Sequence, residues 1–103
     1  MNNLEKNIQE VSSIIDNHPL VKEYLSLKKQ ICSSEEISLL EKEIVIHQKE
    51  MTKNLNNDEI YFKEKEIYDS LKKKYDSNPL IINFNAVSEE LYSFLNEIKE
   101  AIE

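Results

Sequence analysis

Two histidines, one cysteine and twenty acids are the side chains through which this 103-residue chain could do chemistry. A helical metal site of the H-E-x-x-H kind needs two histidines four residues apart. His18 and His47 are far from that spacing. A metal-dependent reading would have to join His47 to a carboxylate such as Glu43 or Glu50. Cys32 alone supplies neither a thiolate cluster nor an internal disulfide. No base stands beside it to activate the thiol, so it reads as a plain small residue. Glu35/Glu36 and Glu89/Glu90 are sequence neighbours, which a helix turns about 100° apart. They read as solvating charges rather than acid–base couples. A loop that cradles phosphate needs glycine, and the chain has none. His18 falls in a turn and is expected to be exposed. His47 falls on an apolar stripe and is expected to be packed or at an interface. No catalytic residue, metal ligand or cofactor is assigned.

The composition narrows the classes further. Hydrophobic residues make up 40% and charged residues 32%. With no Gly and two Pro, tight β-turns are hard to build, which favours long helices with short polar connections. The net charge is −7, and the longest basic run is "KKK" at Lys72–Lys74. A nucleic-acid binder needs a basic face, so direct RNA or DNA binding is not expected. No apolar run reaches the roughly 18–20 residues of a membrane span. "MNNLEKNIQE" lacks the basic-then-apolar order of a signal peptide. The expectation is one domain over residues 1–103, in the cytoplasm.

The elements that would position these residues are helices. Leu4, Ile8, Val11 and Ile15 share one face of a first helix from Asn3 to about Asp16. Asp16-Asn17-His18 interrupts it, and Pro19 suits the first turn of a second helix. That helix carries Leu20, Tyr24, Leu27 and Ile31 and ends near Cys32. "SSEE" opens a third helix. Ser33 is expected as its cap, with Glu36 completing a capping box. Ile37, Leu40, Ile44, His47 and Met51 form its stripe. The polar run Asn54–Glu59 makes a turn, with Asp58 as a candidate cap. A fourth helix over Glu59–Tyr75 carries Ile60, Glu64, Ile67, Leu71 and Tyr75, with Phe62 and Tyr68 off that line. Asn78 as cap and Pro79 as first residue open the last helix, which should run almost to Glu103. Its stripe is Leu80, Phe84, Val87, Leu91, Phe94 and Ile98, widened by Leu95 and Ile102. The result is an all-α fold of about five amphipathic helices in a bundle.

"DNHPLVKEY" and "DSNPLIINF" begin at Asp16 and Asp76. Aligning Pro19 with Pro79 pairs Leu20 with Leu80, Tyr24 with Phe84, Leu27 with Val87 and Ile31 with Leu91. The match is either the trace of a duplicated helical hairpin or a general property of amphipathic helices that start with Pro. In both cases it is punctuation: a cap, a proline, then apolar residues that dock the helix. Amphipathic stripes need cover. The third and fifth helices are long relative to the first two, so a homodimer is expected to complete the bundle. Core or interface candidates are therefore Leu20, Tyr24, Leu27, Ile37, Leu40, Ile44, His47, Met51, Leu80, Phe84, Val87, Leu91, Leu95 and Ile98.

The order of "VSSIIDNHPLVKEYLSLKKQI", "EEISLLEKEIVIHQKEM" and "YDSNPLIINFNAVSEELYSFLNEIKEAI" resembles the YlbF/YmcA family of small helical regulators of Gram-positive bacteria. The likeness runs from about Leu4 to Ile102. It is sharpest at Pro79–Leu80 with Phe84, Glu90 and Leu91, followed by Leu95, Ile98 and Ile102. The resemblance implies an all-helical, non-enzymatic adaptor that forms dimers or hetero-oligomers with related regulators. It further implies action with partner subunits on ribonuclease Y, hence on mRNA maturation, and ties to competence, sporulation and biofilm formation. Some longer members carry a cysteine-bearing C-terminal tail. This sequence ends at Glu103 without one, and Cys32 matches no such tail, so an iron–sulfur cluster is not expected. Two alternatives to the adaptor stand beside it. One is a purely structural helical or coiled-coil oligomerisation protein, and the other is the small metal-dependent enzyme built on His47.

Overall fold

The structure, a computed structural model, describes residues 3–102. The side chain of Leu4, which the sequence puts on the first stripe, lies outside the described residues. Five helices follow in order: α1 Asn3–Asn17, α2 Pro19–Cys32, α3 Glu35–Lys53, α4 Asp58–Asp76 and α5 Pro79–Ile102. Among the described residues there is no strand. The all-α expectation holds, and helix ends lie within two residues of those read from the sequence.

The connections explain where each helix begins, and they correct three expectations. Ser34 rather than Ser33 caps α3, its Oγ accepting the Ile37 N–H at 3.2 Å. The third helical position is then Ile37, so Glu36 completes no capping box. Glu35 and Glu36 sit instead in the first turn, where carboxylates favour the positive end of the helix dipole. Asn57 rather than Asp58 caps α4, accepting the Ile60 N–H at 3.3 Å. An amide oxygen there satisfies one of the orphan N–H groups of the first turn. His18 is half-buried, not exposed. Its Nδ1 accepts the Leu20 N–H at 3.1 Å, as Asn78 Oδ1 accepts the Leu80 N–H at 2.9 Å. The residue before each proline thus caps the helix that the proline begins.

The chain forms two compact units, one of Met1–Lys29 with Asn83–Glu103 and one of Gln30–Ile82. In the first, the closing aromatics of the two repeated phrases meet. Tyr24 and Phe84, which align in the repeat, stack with ring centroids 5.0 Å apart. His18 lies on Phe94 at 3.9 Å. Rising numbers on α2 meet falling numbers on α5, so these helices run antiparallel. Leu27 and Val87, also aligned in the repeat, are the buried apolar side chains among the described residues of this unit. Burying such a side chain contributes roughly 1.5–3 kcal/mol.

The second unit is built on the α3/α4 hairpin, closed by the short connection Asn54–Asn57. Its apolar seam is the predicted α3 stripe: Ile37 is fully buried and Leu40, Ile44, His47 and Met51 are half-buried. On α4 the inward face passes through Tyr61, Glu64, Ile67, Tyr68, Leu71 and Tyr75. Ile60, expected on that face, is 39% exposed, and Tyr61 takes its place. Tyr68, expected off the line, turns inward, while Phe62 points to solvent. Ile81, at the start of α5, is buried in this unit.

Candidate interaction surface

The polar groups nearest the hairpin core are committed to one another. His47 Nδ1 pairs with Glu64 Oε2 across α3 and α4, with both side chains largely shielded from solvent. The carboxylates considered for His47 from sequence, Glu43 and Glu50, are not its partner. Glu50 pairs instead with Lys53 at 3.5 Å. Among the described residues, no group of three His, Cys, Asp or Glu side chains could hold a metal ion. His47 and Glu64 thus link the two helices of the hairpin through a half-buried pair.

Tyr75 makes a second cross-hairpin link, its hydroxyl donating to Glu41 Oε1 at 3.4 Å. Partial burial holds the phenol pKa above its usual value of about 10. The charge of Glu41 and the hydrogen bond to it push the same way, as does Asp76, while Lys72 opposes them. Lys72 Nζ sits 5.2 Å from the Tyr75 ring centroid. In the other unit, His18 beside Glu89, Glu90 and Glu97 lines an open groove. The imidazole there is already engaged: Nδ1 accepts a backbone N–H, so the neutral ring carries its proton on Nε2.

The apolar residues divide between the packed stripes and the open surface. Of the residues singled out from sequence, Leu27, Ile37 and Val87 are buried. Leu20, Tyr24, Leu40, Ile44, His47, Met51, Leu80, Phe84, Leu91 and Ile98 are half-buried, and Leu95 is exposed. The stripes thus serve largely to pack the chain against itself. The open apolar residues lie elsewhere. On α3 they are Leu39 (58% exposed), which borders a groove shared with Lys74, Ser77 and Pro79, and Val45 (44%) and Ile46 (56%) farther along the helix. In the first unit they include Tyr92, Leu95 and Ile102 on α5, Leu25 on α2 and Ile8 and Ile14 on α1. Sequence reading passed over Leu39, Val45 and Ile46. The signal was present, because "LL" at 39–40 and "IVI" at 44–46 put apolar residues on both sides of one helix.

A small five-helix protein whose polar core groups are paired, and whose helices keep apolar residues in solvent, has the makings of an interaction module. The profile of the family described as "Control of competence regulator ComK, YlbF/YmcA" matches residues 4–103. The chain belongs to the YlbF/YmcA family, one concerned with the regulation of competence. The fold is similar to that of RicA from Bacillus subtilis, in a crystal structure of RicA in complex with RicF. The TM-score is 0.79 with 18% sequence identity, over 96% of this chain and 89% of that one. At that identity the likeness is one of fold. A comparison with curated protein sequences gives no match. Among the described residues no helix is long and apolar enough to cross a membrane.

Proposed function

We propose that the chain works as a single helical domain over residues 1–103 and is a non-enzymatic regulatory adaptor. It binds protein partners through helical faces, as a homodimer or as a hetero-oligomer with related regulators. In this reading it acts in the cytoplasm, with partner subunits, on ribonuclease Y-dependent mRNA processing, and so on competence, sporulation and biofilm formation. It carries no cofactor and does not bind nucleic acid directly. The observation that supports the reading most is the set of open apolar side chains on α3 and α5 in a member of a regulatory family. Solvent-exposed apolar patches of this kind mark sites of association. That the similar RicA was crystallised with RicF points the same way.

The test is recovery of the tagged chain at native abundance from its source cell, with bound proteins identified by mass spectrometry. A related regulator or ribonuclease Y should co-purify. In cells lacking the chain, transcripts cleaved by ribonuclease Y should accumulate unprocessed. Normal processing together with an empty pull-down would sink the adaptor. Light scattering addresses self-association separately, since a mass near the 12.2 kDa of one chain at micromolar concentration rejects the homodimer.

A further inference from the structure

The second unit carries a surface that the intramolecular seam does not use. Leu39, Lys42, Ile46, Lys49 and Lys53 follow one another on α3 at intervals of three, four, three and four. The buried seam Ile37, Leu40, Ile44, His47 and Met51 has the same intervals, two residues earlier. A shift of two residues on a helix is about 200°, so the second stripe lies opposite the first. All five of its residues are exposed, as is the flanking Val45. In a chain of net charge −7, the stripe gathers three lysines with two apolar residues, and one exposed acid, Glu35, stands four residues before Leu39 at its head. Glu43 and Glu50 stand on its rim, where Glu50 holds Lys53 at 3.5 Å. The stripe is about 21 Å long, three helical turns and more.

We propose that this outward stripe of α3 is a docking site for an acidic amphipathic helix of a partner protein; the proposal rests on the adaptor reading and names the chemistry of its partner. Leu39, Val45 and Ile46 meet the partner's apolar residues. Lys42, Lys49 and Lys53 lay their methylene stems along that contact and carry their ammonium groups out to the partner's carboxylates. Charge pairs flanking an apolar seam are the usual way two helices choose each other and fix their register. The same charges exclude an α3-to-α3 dimer, in which lysine would face lysine across the seam. The net charge of −7 disfavours an extended polyanion, whether an anionic bilayer or a nucleic acid, and the phosphates of a nucleic acid give Leu39 and Ile46 nothing to bury against. A single helix can engage the stripe alone.

The probe is a synthetic helical peptide of about 21 residues, ~30 Å long, with Leu at heptad core positions and Glu at the flanking positions. A control peptide carries Lys in place of Glu. Fluorescence anisotropy with the full chain should show saturable binding of the acidic peptide and at least about tenfold weaker binding of the control. Affinity should fall as salt rises from about 0.05 to about 0.3 M, because the charges are solvent-exposed. Lys42→Glu/Lys49→Glu should lose about tenfold or more, and Ile46→Asn a comparable amount, with helical circular dichroism unchanged. Equal binding of both peptides, indifference to the lysine reversals, or no binding by the folded chain would overturn the proposal. So would preferential binding of phosphatidylserine vesicles through the same lysines, or a homodimer that dissociates on their reversal. Should Lys42→Glu/Lys49→Glu still recover its natural partners by pull-down, the adaptor reading survives and this surface alone is rejected.

Discussion

The two faces of α3 follow the same spacing and meet different fates. The inward stripe places four apolar residues and one histidine against α4, and Ile37 at its head is 1% exposed. The outward stripe mixes two apolar residues with three lysines, and Ile46 is 56% exposed. Periodicity alone makes a face, whereas its composition decides what closes it. A stripe with little charge has to be covered during folding, because leaving it in water forfeits the burial free energy. A stripe that interleaves lysines remains soluble until something acidic covers it. The sharpest test of this contrast is a matched pair of truncations. Ile37→Ala should destabilise the chain by about 2–5 kcal/mol, through lost burial and the cavity left behind. Ile46→Ala should stay within about 0.5 kcal/mol, as exposed substitutions do. Urea denaturation followed by circular dichroism measures both, and similar losses would erase the distinction between the faces.

The one polar position on the inward stripe refines the comparison. His47 reaches Glu64 on α4, and both side chains are mostly shielded. Removing one partner leaves the other without its hydrogen bond, which costs about 1–3 kcal/mol when the group is buried. Glu64→Leu alone should therefore destabilise by about 1 kcal/mol or more, on that same basis. His47→Leu/Glu64→Leu together should recover most of the loss, since apolar replacements of a buried pair are often neutral or better. A double mutant in which the two losses simply add would show that the pair is not coupled and that the inward stripe tolerates charge as the outward one does.

A smaller effect separates the residues at the head of α3. Ser34→Ala should cost about 1 kcal/mol, the usual value of an N-cap, while Ser33→Ala should be close to silent. The thermal midpoints of the two variants measure this directly. The reverse result would restore Ser33 as the cap and shift both stripes by one residue relative to the helix start.

These positions also show what was legible in the sequence. Five helices could be read because Pro19 and Pro79, the serines at 33 and 34 and the asparagines at 54, 56 and 57 break the apolar periodicity clearly. Caps were misread where two adjacent residues had similar side chains, as with Ser33 and Ser34 or Asn57 and Asp58. The choice depends on one backbone hydrogen bond that periodicity does not encode. Ile60 was misplaced for a related reason. "IYF" offers three apolar residues in a row, and the hairpin geometry turns Tyr61 inward. His18 was read as exposed because a turn residue usually is, yet Phe94 covers it from a helix more than seventy residues away in sequence. The repeated phrase proved informative beyond punctuation, since its aligned aromatics, Tyr24 and Phe84, stack on each other. The outward stripe of α3 was visible as "LL" and "IVI" but was overlooked, because one stripe per helix already accounted for a fold.

Tyr75 lies at the border between the two faces, where α4 meets the edge of α3 through Glu41. Its phenol is held in the neutral form by burial first and by Glu41 second, so its pKa in the folded chain lies above the unfolded value of about 10. The sign follows from linkage. A group with a raised folded pKa contributes stability that is complete below the unfolded pKa and is lost as pH climbs through the folded one. The wild-type chain should thus lose a small increment of stability above about pH 10 that Tyr75→Phe does not lose. In ultraviolet titration, the phenolate signal missing from Tyr75→Phe should be the part that titrates above the usual range. Glu41→Gln should bring that signal down part of the way, because burial remains when the charge is gone. A complete return to the usual value would make Glu41 the dominant cause. No change at all would mean that the hairpin edge is open in solution, and that the inward face of α3 is less closed than its buried Ile37 requires.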